Sequence, residues 1–145
     1  MTTARNNQAF FPALAYLYCR VGIADLTTVG TSQVINIGDA LPADVLVLGA
    51  SVQVVEMAVG ASLTNLVIDV GDSDDDDCHV AALELFASRT VGDRLEKPGA
   101  RVAGGDDASQ LIATFTSTGA NLSVLTAGQF DVVVVYQALP AIAAD

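Results

Sequence analysis

The chain has 145 residues, with 17 Asp and Glu against 6 Lys and Arg, a formal charge of −11, and 52% hydrophobic against 16% charged residues. That balance excludes a disordered chain, which needs low hydrophobicity and high charge, and a coiled coil, which is rich in charged helix formers. An acidic surface repels phosphate, so nucleic acid is not an expected partner.

The length fits one domain, large enough to bury about two-thirds of its unfolded surface without metals or disulfide staples. Residues 1–9 are polar and unpatterned, and with Phe10, Phe11 and Pro12 they read as a flexible N-terminal arm, residues 1–12, ahead of a single domain at 13–145. Arg5 precedes an apolar run, and Gly22-Ile23-Ala24 loosely resembles a cleavage site. Pro12 interrupts that run, however, and Tyr16 and Tyr18 suit a strand better than a signal peptide. Leu14 to Val21 alternates and reads as the first strand. A turn region rich in threonine and glycine follows at 25–32, and then a short strand at 33–37. Val45 to Met57 predicts one long strand, or two bent at Gly49, because an isolated glycine in a strand often marks a bulge.

Asn65 to Val70 alternates clearly, with Leu66, Ile68 and Val70 on one face. Residues 72–77 form an acidic loop. Residues 80–87 fit either a short helix or a strand. Residues 89–107 carry Gly92, Pro98, Gly99, Gly104 and Gly105 and read as a long excursion. Leu111 to Ser117 is a strand with Leu111, Ala113 and Phe115 on one face. Turns are expected at 118–121 and at Ala127-Gly128. The last strand, 130–139, holds Val132, Val133, Val134 and Val135, a pattern that suits a central strand buried on both sides. Short strands separated by regular turn signals predict an all-β fold, a β-sandwich or barrel with at most one short helix. No uncharged apolar run reaches the ~18 residues of a membrane helix, so no membrane partner is expected.

Chemical motifs are absent. Counted from Asp72, the acidic loop has aspartate at EF-hand positions 1, 3 and 5, but Asp77 stands where glycine is needed and Leu83 where glutamate is needed. It reads as a solvated loop. His79 is the single histidine, and Cys78 beside it would point to the opposite face of a strand. With Cys19, these are too few to make a four-ligand zinc site. Neither a nucleophile elbow nor a phosphate-binding glycine motif occurs. The reading is therefore not an enzyme, with no catalytic residue, no cofactor and no metal. Two cysteines fit an intracellular origin better than a disulfide framework.

Charge offers more. Arg89, Arg94, Lys97 and Arg101 are four of the six basic residues in an otherwise acidic chain. The bland account is a solvated loop with local ion pairs to Asp93 and Glu96, each worth little. The functional account is contact with an acidic patch on a neighbouring subunit, in head-to-tail rings such as trimers. Phe10 and Phe11 are candidate apolar anchors for a neighbour, or else the first core residues of the opening strand.

Thr31-Ser32-Gln33-Val34-Ile35-Asn36-Ile37-Gly38, Leu41-Pro42-Ala43 and Val47-Leu48-Gly49 form one set of turn-and-strand patterns. Leu111-Ile112-Ala113-Thr114-Phe115-Thr116, Thr118-Gly119-Ala120-Asn121-Leu122 and Leu125-Thr126-Ala127-Gly128 form another. Over residues 31–139 the chain resembles head decoration, or cement, proteins of tailed bacteriophages. The resemblance implies a jelly-roll-like β-sandwich that forms a homotrimer on the outside of the capsid and clamps neighbouring copies of the major capsid protein. It implies a place on the virion surface, after synthesis in the host cytoplasm. It carries no functional residues over, and the loops at 72–77 and 89–101 have no match in it. The alternative reading is a virion module that binds host carbohydrate or a receptor.

Overall fold

The computed structural model describes residues 14–42, 45–87, 89–103 and 110–138, with the side chains of 95–103 outside the description. Eight strands follow in chain order: β1 Leu14–Gly22, β2 Ser32–Asn36, β3 Val45–Gly60, β4 Asn65–Gly71, β5 Val80–Glu84, β6 Arg94–Ala103, β7 Ile112–Thr118 and β8 Leu125–Ala138. One 3-10 turn, Leu122–Val124, precedes β8. The strands form two four-stranded antiparallel sheets, with orders β1-β8-β3-β6 and β2-β7-β4-β5. This is the eight-strand, two-sheet order of a jelly roll.

Inward-facing residues of both sheets make one core. Val47, Val52, Val54, Phe130, Val132 and Val134 come from the first sheet, and Leu66, Ile68, Val70, Ala113 and Phe115 from the second. The alternation expected at 65–70 and 111–117 therefore holds, with the predicted faces inward. The kink expected at Gly49 is present as a register shift between Val47 and Gly49, where β3 carries one more residue than β8.

One open alternative is decided and two local expectations differ from the structure. Of the helix and strand readings of 80–87, the structure takes strand at Val80–Glu84, because β4 offers a ladder. The helix-like run of alanines marks a bulge. Ala82 sits at φ 46° and donates its N–H to the Asp69 carboxylate at 2.5 Å, and the register slips between Ile68 and Val70. The excursion at 89–107 contains β6. Pro98 and Gly99 are tolerated because β6 is an edge strand, with β3 on one side and no ladder on the other. Ala127-Gly128 lies inside β8 rather than ahead of it, with Gly128 at φ 143°. A Cβ there would come within 3.3 Å of the Ala58 backbone, so glycine lets β3 and β8 close together.

The valine run is central, as expected, with β1 on one side and β3 on the other. It is not buried on both faces within one chain. Val132 and Val134 have no exposed surface, whereas Val133 and Val135 are half-buried.

Candidate functional site

The outer face of the first sheet is the most unusual surface among the described residues. On β1, Leu14, Tyr16 and Tyr18 are 62%, 69% and 47% exposed, while Leu17, Cys19 and Val21 turn toward the core. The register sets Tyr16 opposite Val135, Tyr18 opposite Val133 and Arg20 opposite Asp131. Two aromatic rings thus stand beside two outward valines on a regular pleated surface.

Charge on this half of the face is closed internally. Arg20 donates to Asp131 through Nε at 2.6 Å and Nη2 at 2.8 Å, and the Tyr18 hydroxyl donates to the same carboxylate at 3.0 Å. The Arg20 hydrogen bonds hold the Asp131 carboxyl below its usual range. Desolvation and the bond to Asp131 push the Tyr18 phenol up, and the bond to Asp131 raises the Arg20 guanidinium. Such a forked guanidinium–carboxylate pair fixes geometry more than it adds stability at a partly exposed site.

The acidic loop folds back on β4. Asp72 accepts the backbone N–H groups of Asp74 and Asp75 at 2.9 and 3.0 Å, and its own N–H donates to the Asp75 carbonyl at 3.0 Å. Asp77 is pushed up by a hydrogen bond shared with Asp75, then by desolvation and the charges of Asp75, Asp76 and Asp69. Among the described residues no group of three or more His, Cys, Asp or Glu is placed to hold a metal ion. His79 is buried at 9% exposure, and its backbone N–H donates to the Val70 carbonyl at 2.9 Å.

The four basic residues do not form one loop. Arg89 lies in the β5–β6 connection, where its Nε donates to the Glu84 carbonyl at 2.9 Å and lies 3.4 Å from the Glu84 carboxylate. Arg94, Lys97 and Arg101 are spread along β6, opposite Gln53, Ala50 and Val47. Arg94 is exposed, and the side chains of Lys97 and Arg101 lie outside the described residues. Phe10, Phe11 and the whole 1–12 arm also lie outside them. The antiparallel course puts Asp39 and the 72–77 loop at the end of the sandwich where β1 begins, and Arg89 at the opposite end.

Sequence reading missed the tyrosine face because β1 is apolar on both sides. The available signal was the phase of its one charge. Arg20 must face solvent, and Tyr18, Tyr16 and Leu14 share its parity.

No family model matches the chain, and no curated protein matches it. Solved structures do. A chain in the cyanophage Pam1 capsid asymmetric unit is 16% identical, with a TM-score of 0.67, covering 96% of this chain and 94% of that one. A chain in the acidic stable capsid structure of Helicobacter pylori bacteriophage KHP30 is also 16% identical, with a TM-score of 0.59, covering 92% of this chain and 94% of that one. At this identity the likeness is one of fold, and the two-sheet sandwich described above is the fold that this chain shares with chains of two phage capsid structures.

Proposed function

We propose that this chain is a structural protein of a phage virion that binds the outside of the assembled capsid and bridges neighbouring major capsid protein subunits. The observation that carries the reading is the fold shared over 96% of the chain with a chain of the cyanophage Pam1 capsid. The second capsid likeness, from a phage of a different host, supports the same reading. The mechanism is binding rather than chemistry. Contacts made across joints between capsid subunits exist only in the assembled state, so their free energy stabilises the shell against disassembly.

In this reading the protein acts as a homotrimer. Residues 1–12, with Phe10 and Phe11 as anchors, reach a neighbour. Arg89, Arg94, Lys97 and Arg101 are the residues that would meet an acidic patch on a neighbour. A net charge of −11 suits a protein that coats a shell without adhering to the DNA inside.

The test is sedimentation of purified protein with expanded capsids that lack it. Binding that saturates at a fixed ratio to capsid subunits is the expected result, and deletion of residues 1–9 is expected to weaken it. Folded protein that stays in the supernatant across salt and pH would overturn the proposal and turn attention to receptor or carbohydrate binding.

A further inference from the structure

We infer that the β1–β8 half of the first sheet's outer face is where copies of this chain meet one another. The inference deepens the self-association in the reading above by naming its surface, and its test uses no capsid.

Charge identifies the occupant. Where copies meet about a rotation axis, the residues beside the axis face their own equivalents, so any unbalanced charge there meets the same charge. In a chain of net charge −11, most approaches between two copies are therefore repulsive. Along β1 and the facing stretch of β8 the ionisable groups other than tyrosine are Arg20 and Asp131, bound to each other at 2.6 and 2.8 Å, so the patch is neutral around Tyr16. The nearest unbalanced charge among the described residues is Glu56 on β3, at the Gly128 end of β8. A foreign partner drawn by charge would be steered instead to the acidic end at Asp39 and the 72–77 loop.

Area agrees. At about 200 Å² per large side chain, the exposures of Leu14, Tyr16 and Tyr18 leave on the order of 350 Å² open. If the core of an interface is roughly 65% apolar, this anchors about 550 Å² per copy, or ~1,100 Å² per pair. That exceeds the ~800 Å² typical of casual packing and lies at the lower end of specific interfaces. The regular backbone edge of β1 lies beside it, a surface that natural proteins normally cover.

The experiment is analytical ultracentrifugation of the full chain across micromolar concentrations, with circular dichroism to check folding. Wild type is expected to self-associate. Tyr16→Glu sets like charges against each other and is expected to move the association midpoint up by at least ~100-fold. Tyr16→Phe is expected to leave it in place. Val34→Glu, at a site 54% exposed on the outer face of the other sheet, is the control and is also expected to leave it in place. Should Tyr16→Glu fail to fold, Leu14→Arg at the strand's first residue makes the same test.

A wild type that stays monomeric throughout would overturn the inference. So would a folded Tyr16→Glu or Leu14→Arg that associates like wild type, or a Val34→Glu that dissociates equally. Monomeric protein that still sediments with capsids would sink this inference and the homotrimer while leaving capsid binding in place. Self-association through this face without capsid binding would sink only the capsid reading.

Discussion

Replacing Phe115 by alanine removes a ring from the middle of the contact between the two sheets. Phe115 on β7 and Phe130 on β8 have no exposed surface, and their rings lie 6.1 Å apart at 38°. Losing about 150 Å² of buried apolar area costs ~4 kcal/mol at ~25 cal/mol per Å². The tilted ring pair adds ~1 kcal/mol to that loss, and burial already present in the unfolded chain takes off a similar amount. The expected cost is about 4 kcal/mol, a large share of the 5–15 kcal/mol that stabilises an ordinary domain. Urea unfolding at fixed protein concentration measures it. With a slope of ~2 kcal/mol per molar, the midpoint falls by roughly 2 M. Phe115→Leu keeps most of the volume and is expected to lose less than half as much. A Phe115→Ala loss under ~1.5 kcal/mol at unchanged slope would mean that the sheets are not joined through these rings, and the reasoning would fail.

Three other substitutions probe local features. In Gly71→Ala, a Cβ would overlap the Asp75 carbonyl and sit 2.5 Å from the Asp76 carbonyl carbon; the 72–77 loop must open, seen as faster amide exchange there and a lower thermal midpoint. Ala82→Gly removes a side chain from a residue at φ 46° and is expected to raise stability by up to ~1 kcal/mol by denaturant titration. Asp131→Asn is expected to cost about 1 kcal/mol at neutral pH, since Arg20 is half-exposed and rehydrates. The Asp131 carboxyl is held below its unfolded value of ~3.9, so its contribution is complete above that pH and is lost as pH falls through the lower folded value. The gap in thermal midpoint between wild type and Asp131→Asn is therefore expected to close under acid, and a gap independent of pH would refute the assignment.

The parts of the fold legible in the sequence are those where one face is apolar and the other is not. Leu66, Ile68 and Val70 against Asn65 and Asp69 leave one possible orientation, and the structure adopts it. Gly49 announced a bulge because it is an isolated glycine inside a long run with strand character. Legibility failed where local and long-range preferences compete. Ala81 and Ala82 are good helix formers, and only the ladder with β4 and the Asp69 carboxylate draws them into a bulged strand. Pro98 and Gly99 signal a break, yet an edge position needs hydrogen bonds on one side alone. The tyrosine face was hidden by the symmetry of β1, whose two sides are both apolar. The Arg20–Asp131 pair joins residues 111 apart in sequence and becomes visible only when β8 is laid beside β1.

The place of β8 also sets an order of events in time. The last of the described strands to leave the ribosome lies in the middle of its sheet, and it pairs with β1 and with nearly the whole length of β3. Until it arrives, β1 lacks its one strand partner among the described residues, so an early strand must wait for a late one. β3 and β6 can pair beforehand, but β1 joins the sheet only once β8 is made, and partners so distant in sequence bring slow loop closure with them. A released chain ending before residue 125 would keep β2, β4, β5 and β7 able to pair while β1 lacked β8, its Tyr16 and Tyr18 bare to whatever came near.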